Sequence, residues 1–183
     1  MADNYLEFSE TLNNLTAEEE AWLKEQLQPI VAFGNKEFSE GDPTIATLPG
    51  TPDFTGPRFL RDNPDFDSSY DVLGFEFDFC DEDTPPARYL WLYADGYGDP
   101  AHVAWLIHKF LKRFRPDQCW SLTYANTCSK PRVGEFSGGA EFVTATEIKQ
   151  QNADDWVQQQ RAALKQNGKP RPTFQVRRLC EVP

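Results

Sequence analysis

Residues 72–93, VLGFEFDFCDEDTPPARYLWLY, alternate large apolar with acidic side chains, break at two prolines and return as a second extended run. Phe75, Phe77 and Phe79 fall on one side of the first run and Glu76 and Asp78 on the other, the period of two expected of a half-buried strand over Val72–Cys80. The acidic Asp81–Pro86 segment reads as a turn, and Arg88–Tyr93 as the antiparallel hairpin partner. A strand pair with one apolar and one polar side needs a covering layer on the apolar side alone.

Helices on both flanks can supply that layer. After a loop at Asp95–Gly98, Asp99-Pro100 sets an N-cap followed by proline at the first helical position, where its missing N–H costs little. Val103, Leu106, Ile107, Phe110, Leu111 and Phe114 then follow helical spacing, and Pro116 closes the segment. Upstream, Thr16 and Glu19 form a capping box for a helix over about residues 17–28, ended by Pro29. Tyr5–Phe8 reads as a short strand before it. Downstream, Trp120, Leu122 and Tyr124 alternate with Ser121 and Thr123, and Phe136–Val143 forms another extended run whose Gly138-Gly139 pair suggests a bulge or close backbone approach. Thr144 and Glu147 repeat the capping-box pattern for a last helix carrying Trp156, Val157 and Leu164, with Asn152 or Asp155 as an alternative start and Gly168 as the stop.

Residues 29–71 hold prolines at 29, 43, 49, 52, 57 and 64 and interrupt any long period, yet they are too apolar for a free linker. They are expected to pack as an irregular insertion covering an edge or open face. The order strand, helix, strand, strand, helix, strand is that of a ferredoxin-like fold. The expectation is therefore an α+β domain over 1–168: an antiparallel sheet with helices on one face, extended by an extra strand and a C-terminal helix. Residues 169–183, with Arg171, Arg177 and Arg178, form a basic extension whose Phe174, Val176 and Leu179 suit an edge strand.

Charge divides the chain. Residues 1–83 carry net −16 and residues 84–183 net +5, giving −11 overall. An acidic front half does not grip nucleic-acid phosphates, but it suits a basic protein surface and allows nucleic-acid mimicry. Without this function, the same charge serves solubility. The four cysteines lack CxxC spacing, and no apolar leader or membrane-length run is visible, so a cytoplasmic protein with reduced thiols is expected.

Candidate sites are few. Asp81, Glu82 and Asp83 form an acidic run in the front half and are candidate contacts for a basic partner. Asn126, Ser129, Lys130, Arg132, Gly138 and Gly139 combine amide, hydroxyl, cation and glycine backbone in the pattern of an anion-binding loop, though the order matches no phosphate-loop motif; a charged hairpin loop accounts for them as well. Glu76 and Asp78 project from one sheet face and offer oxygen ligands for a divalent cation, or form the solvent side of an amphipathic strand. His102 and His108 stand about 240° apart on one helix, which excludes an i,i+4 metal pair. Cys128 lies near Lys130 and Arg132, which favour a thiolate, but a small buried thiol is the preferred reading. Trp91, Tyr93, Trp120 and Tyr124 are of the kind that stack bases in RNA-binding domains, but the ribonucleoprotein motif is missing and Glu76 with Asp78 would repel phosphate.

The block Thr127–Ala140, TCSKPRVGEFSGGA, with the following Phe142–Ala145, resembles a set of uncharacterised bacterial and phage-associated hypothetical proteins over about residues 70–160. At fold level the layout is similar to the ferredoxin-like domain of Api92-like phage proteins, which implies a mobile-element origin and assigns no role. The leading expectation is a non-enzymatic acidic binding protein without cofactor, an inhibitor or modulator engaging a basic protein surface. It binds neither nucleic acid nor membrane. The alternative is a small metal- or phosphate-ligand enzyme using Glu76 and Asp78 or the Lys130/Arg132 loop, the only reading with a divalent cation.

Overall fold

The computed structural model describes residues 3–33, 36–41, 54–66, 72–83 and 86–167. The element order is β1 (Asn4–Leu12), α1 (Ala17–Leu27), β2 (Pro29–Phe33), β3 (Lys36–Ser39), β4 (Phe54–Pro57), a 3₁₀ turn (Arg58–Leu60), β5 (Glu76–Asp83), β6 (Pro86–Gly96), α2 (Pro100–Phe114), β7 (Cys119–Cys128), β8 (Ser137–Thr144), β9 (Ile148–Asn152) and α3 (Ala153–Asn167). Six strands form one sheet in the order β5-β6-β1-β7-β8-β9, antiparallel throughout. The molecule is thus mixed α+β, and α1 and α2 share a core with one face of this sheet.

Alternation decides which face that is. Phe8, Leu12, Leu90, Leu92, Ala94, Leu122 and Val143 pack in one core with Leu23 and Leu27 of α1 and with Val103, Leu106, Ile107, Phe110 and Leu111 of α2. Phe77 and Phe79 pair in register with Leu92 and Leu90 and pack against the same core. Removing one fully buried leucine of this set, at about 2–5 kcal/mol, consumes much of a domain's usual stability.

The hairpin reaches further than the alternation suggests. β5 starts at Glu76 and runs through Asp81 to Asp83, while β6 takes in Pro86 and Asp95-Gly96. The acidic residues expected in a turn therefore lie mostly in a strand, because pairing with β6 continues from Cys80↔Tyr89 to Asp83↔Pro86. Likewise, β1 is nine residues long, since its pairing with β6 runs from Leu6 to Leu12 and its pairing with β7 starts at Asn4.

Described parts of the 29–71 segment include three short strands and a 3₁₀ turn. β2, β3 and β4 form a three-stranded sheet in the order β3-β2-β4. Ile30, Ala32, Phe54, Phe59 and Leu60 join the core, and Trp105 Nε1 of α2 donates to the Phe59 carbonyl at 3.1 Å. The 3₁₀ turn that follows β4 packs against both α1 and α2 and buries Phe59 and Leu60 there.

The Thr144/Glu147 pattern caps no helix. Thr144 Oγ1 accepts from Glu147 N at 3.0 Å, Thr144 N donates to the Glu147 carbonyl at 2.9 Å, and the chain turns straight into β9. Asn152 Oδ1 accepts instead from Asp154 N at 2.8 Å and starts α3, as the alternative reading had it. Residues 168–183, including the expected stop at Gly168 and the edge strand at Phe174–Leu179, lie outside the described residues.

Both capping expectations for the earlier helices hold. Thr16 and Glu19 complete the box on α1, and Asp99 accepts from Ala101 N at 2.9 Å at the head of α2. Glu19 also receives Arg115, the C-cap of α2, through Nε at 2.7 Å and Nη2 at 2.9 Å. Arg115 further donates to the carbonyls of Asn13 and Asn14. One carboxylate therefore fixes the start of one helix to the end of the next, and it is held below the ordinary range first by the hydrogen bond from Arg115.

Candidate functional site

The face of the large sheet opposite α1 and α2 carries the residues that alternate out of the core. Register sets Glu76 beside Tyr93, Asp78 beside Trp91, Tyr93 beside Ser9 and Asp95 beside Glu7. Trp91 and Tyr93, two apart on β6, stack with centroids 4.2 Å apart at 26°. The Trp91 indole Nε1 donates to Ser9 Oγ at 2.9 Å, which holds the ring against β1. Tyr93 Oη lies 3.3 Å from Asp78 Oδ2, and its hydroxyl is raised above the usual phenol range, by burial first and then by Glu76 and Asp78. An aromatic pair is thus framed by the carboxylates of Glu7, Glu76, Asp78 and Asp95. Trp91 remains 37 % exposed, and Tyr5 and Phe142 extend apolar surface over the same face at 38 % and 41 %.

The chemistry of such a face is complementary to a cation. Stacked rings attract guanidinium or ammonium groups through their quadrupole, and flanking carboxylates add charge-assisted hydrogen bonds. Among the described residues no group of three His, Cys, Asp or Glu side chains is arranged to hold a metal ion, so Glu76 and Asp78 stand as a pair with Tyr93 between them.

The acidic group at 81–83 is partly engaged. Asp81 faces Arg88 across the hairpin, with Nε to Oδ1 at 3.6 Å, and Arg88 also reaches Glu20 at 3.2 Å. The side chains of Glu82 and Asp83 lie outside the described residues.

The loop predicted to cradle an anion is divided among different tasks. Asn126 Nδ2 donates to Ser137 Oγ at 2.8 Å, and both line a polar recess of about 330 Å³ with Asn4, Tyr5, Tyr97 and Glu135 at one end of the sheet. Lys130 and Arg132 are exposed and do not line it. Ser129 exchanges hydrogen bonds with Asp3, through its hydroxyl at 3.0 Å and its amide at 2.9 Å, and so anchors the start of β1. Asn126 thus lines the recess with Ser137, while Lys130 and Arg132 lie outside its lining.

Gly138 and Gly139 are needed for packing. A Cβ on Gly139 would fall 2.4 Å from Tyr124 Oη and 2.7 Å from the Gln151 carbonyl, and one on Gly138 would fall 2.5 Å from the Tyr124 carbonyl. The bare backbone lets the Tyr124 ring cross β8. Cys128 is buried and unpaired, as a small apolar side chain would be. His102 Nδ1 accepts from Gly74 N at 3.1 Å, and His108 Nδ1 meets the Thr144 carbonyl at 2.8 Å, so each ring has a structural partner.

Two features escaped the sequence reading. The Trp91/Tyr93 stack was visible only as two aromatics on one strand, and its carboxylate frame needed the register with β1. Glu141 read as one more polar residue in an extended run, but it is 1 % exposed on the helix side of β8. Its place between Gly139 and Val143 on the buried parity was the available signal.

No family model, curated protein or solved structure matches the chain. No described helix is long and apolar enough to cross a membrane.

Proposed function

We propose that this chain is a non-enzymatic acidic binding protein whose open sheet face receives a basic segment of a partner protein. The observation that carries the reading is the Trp91/Tyr93 stack inside the frame of Glu7, Glu76, Asp78 and Asp95. An arginine laid on the indole gains about 0.5–2 kcal/mol from the ring alone, and the carboxylates select cations over anions. The strand order β5-β6-β1-β7, with α1 and α2 on one face, supports a ferredoxin-like core extended by β8, β9 and α3. The unpaired state of Cys80, Cys119 and Cys128 fits a reducing cytoplasm. The likeness of the 127–140 block to phage-associated proteins fits a modulator carried by a mobile element, and the anionic face fits competition with nucleic acid for a partner's basic groove.

Titration with an arginine-rich peptide, followed by calorimetry at low and high salt, tests the reading. Affinity should fall with ionic strength, because exposed charge pairs are screened over about 8 Å at physiological salt. Trp91→Ala should weaken binding by about 2- to 30-fold, the ring's share, and Glu76→Gln with Asp78→Asn should weaken it further. Glu18→Gln with Asp65→Asn, which removes equal charge elsewhere, should leave affinity unchanged. Equal losses from both charge pairs would reduce the interaction to net charge and defeat the proposal.

A further inference from the structure

Glu141 is a buried carboxyl group away from the open face. Register places it between Leu122 of β7 and Gln150 of β9, on the side of the sheet that packs against α2. Gln150 supplies its hydrogen bond, while Oε1 is buried and has no partner among the described residues. Buried polar atoms are nearly always satisfied, because leaving one unpaired costs about 1–3 kcal/mol.

Among the described residues no cation acts on it directly, and His102 Nε2 lies 3.5 Å from the Asp99 carboxylate rather than beside Glu141. From β7, Tyr124 faces the same region, hydrogen-bonded to Gln150 and raised above its usual range by burial first and then by the charges of Glu141, Asp155 of α3 and Asp99 of α2. Asp99, the α2 cap, also acts on Glu141 itself. His108 of α2 is turned to the Thr144 carbonyl. On β9, Lys149 pairs with Phe142 and therefore stands on the opposite face. Burial first, and then Asp99, push the Glu141 carboxyl up to about 7.

We propose that Glu141 is a proton-operated latch on the sheet edge: neutral, it holds β9 and α3 closed against β8, and loss of its proton opens that edge. β9 is the outermost strand, with β8 as its neighbour among the described residues, and α3 packs on β8 and β9. A carboxylate formed at Glu141 can reach water by parting Gln150 from it, whereas its other sides are closed by Leu122, Val143 and α2. The sign follows from the raised value. Protons favour the closed state, so closure is complete below the ordinary carboxylate range near 4.5 and is lost as pH rises through about 7.

Hydrogen exchange of residues 148–167, corrected for the intrinsic pH dependence of exchange, tests the latch at about pH 6 and about pH 8. Protection there should fall at least about fivefold at the higher pH, with the central strands unchanged, since one unit above the midpoint shifts the proton equilibrium about tenfold. Glu141→Gln, which keeps shape and hydrogen bonding but cannot ionise, should show equal protection at both. The proposal is overturned if the wild-type edge is insensitive to pH, or if Glu141→Gln keeps the response. Should that variant fail to fold, a carbon-13 titration of the wild-type Glu141 carboxyl decides: a midpoint near 7 supports the latch, and one in the ordinary carboxylate range overturns it.

Discussion

Glu19 shows how one side chain can hold two helices. Its reach back to the Thr16 amide at 2.8 Å closes the capping box, and its grip on Arg115 joins α1 to the end of α2. The two partners keep only 8 % and 14 % side-chain exposure, so this pair is screened far less than one on the surface. Glu19→Gln preserves the box, since glutamine also serves at that position, but leaves Arg115 without its counter-charge. A loss of about 2–4 kcal/mol in urea unfolding is expected. The depressed value of Glu19 means that its contribution is present above the ordinary carboxylate range and is lost as pH falls through the folded value. The acid limb of the stability curve should therefore be shallower in Glu19→Gln than in the wild type.

At the scale of elements, local chemistry marked most starts and few ends. The Thr16 box and the Asp99-Pro100 pair announced α1 and α2 because capping is written in three or four adjacent residues. The continuation of β5 through Asp81–Asp83 was not legible, since only the pairing with β6 keeps three acidic residues extended. Thr144 and Glu147 matched a capping box but make a turn, because the same hydroxyl-to-amide bond serves both and the Ile148 strand partner decides between them. For the site, Glu76 and Asp78 were placed on the correct face by alternation. Their framing of Tyr93 depended on strand register, which no local pattern encodes. The true cap of α3 gives a direct check. Asn152→Ala should cost about 1 kcal/mol and raise hydrogen exchange in the first turn of α3, with β8 unaffected.

For the whole molecule, the division of labour is between faces. One side of the large sheet meets α1, α2 and, beside them, the small sheet of β2, β3 and β4. The other carries the aromatic and acidic residues to solvent. β1 runs through the middle, with β6 on one side and β7 on the other. A chain ending after Gln118 would keep both main helices but lose β7, β8 and β9. It should lose cooperative unfolding in a calorimetric scan, because one flank of the central strand and the core contributions of Leu122 and Val143 go with them.

That central position also bears on how the protein is made. β1 leaves the ribosome before both of its neighbours, which end at Gly96 and Cys128. At roughly 5–20 residues per second of translation, the nascent strand waits on the order of 5–25 s before its second edge can be covered. During that interval Leu6, Phe8 and Leu12 form an amphipathic strand without its full sheet, so the order of synthesis runs against the order of assembly, and the central strand is most exposed before β7 has been translated.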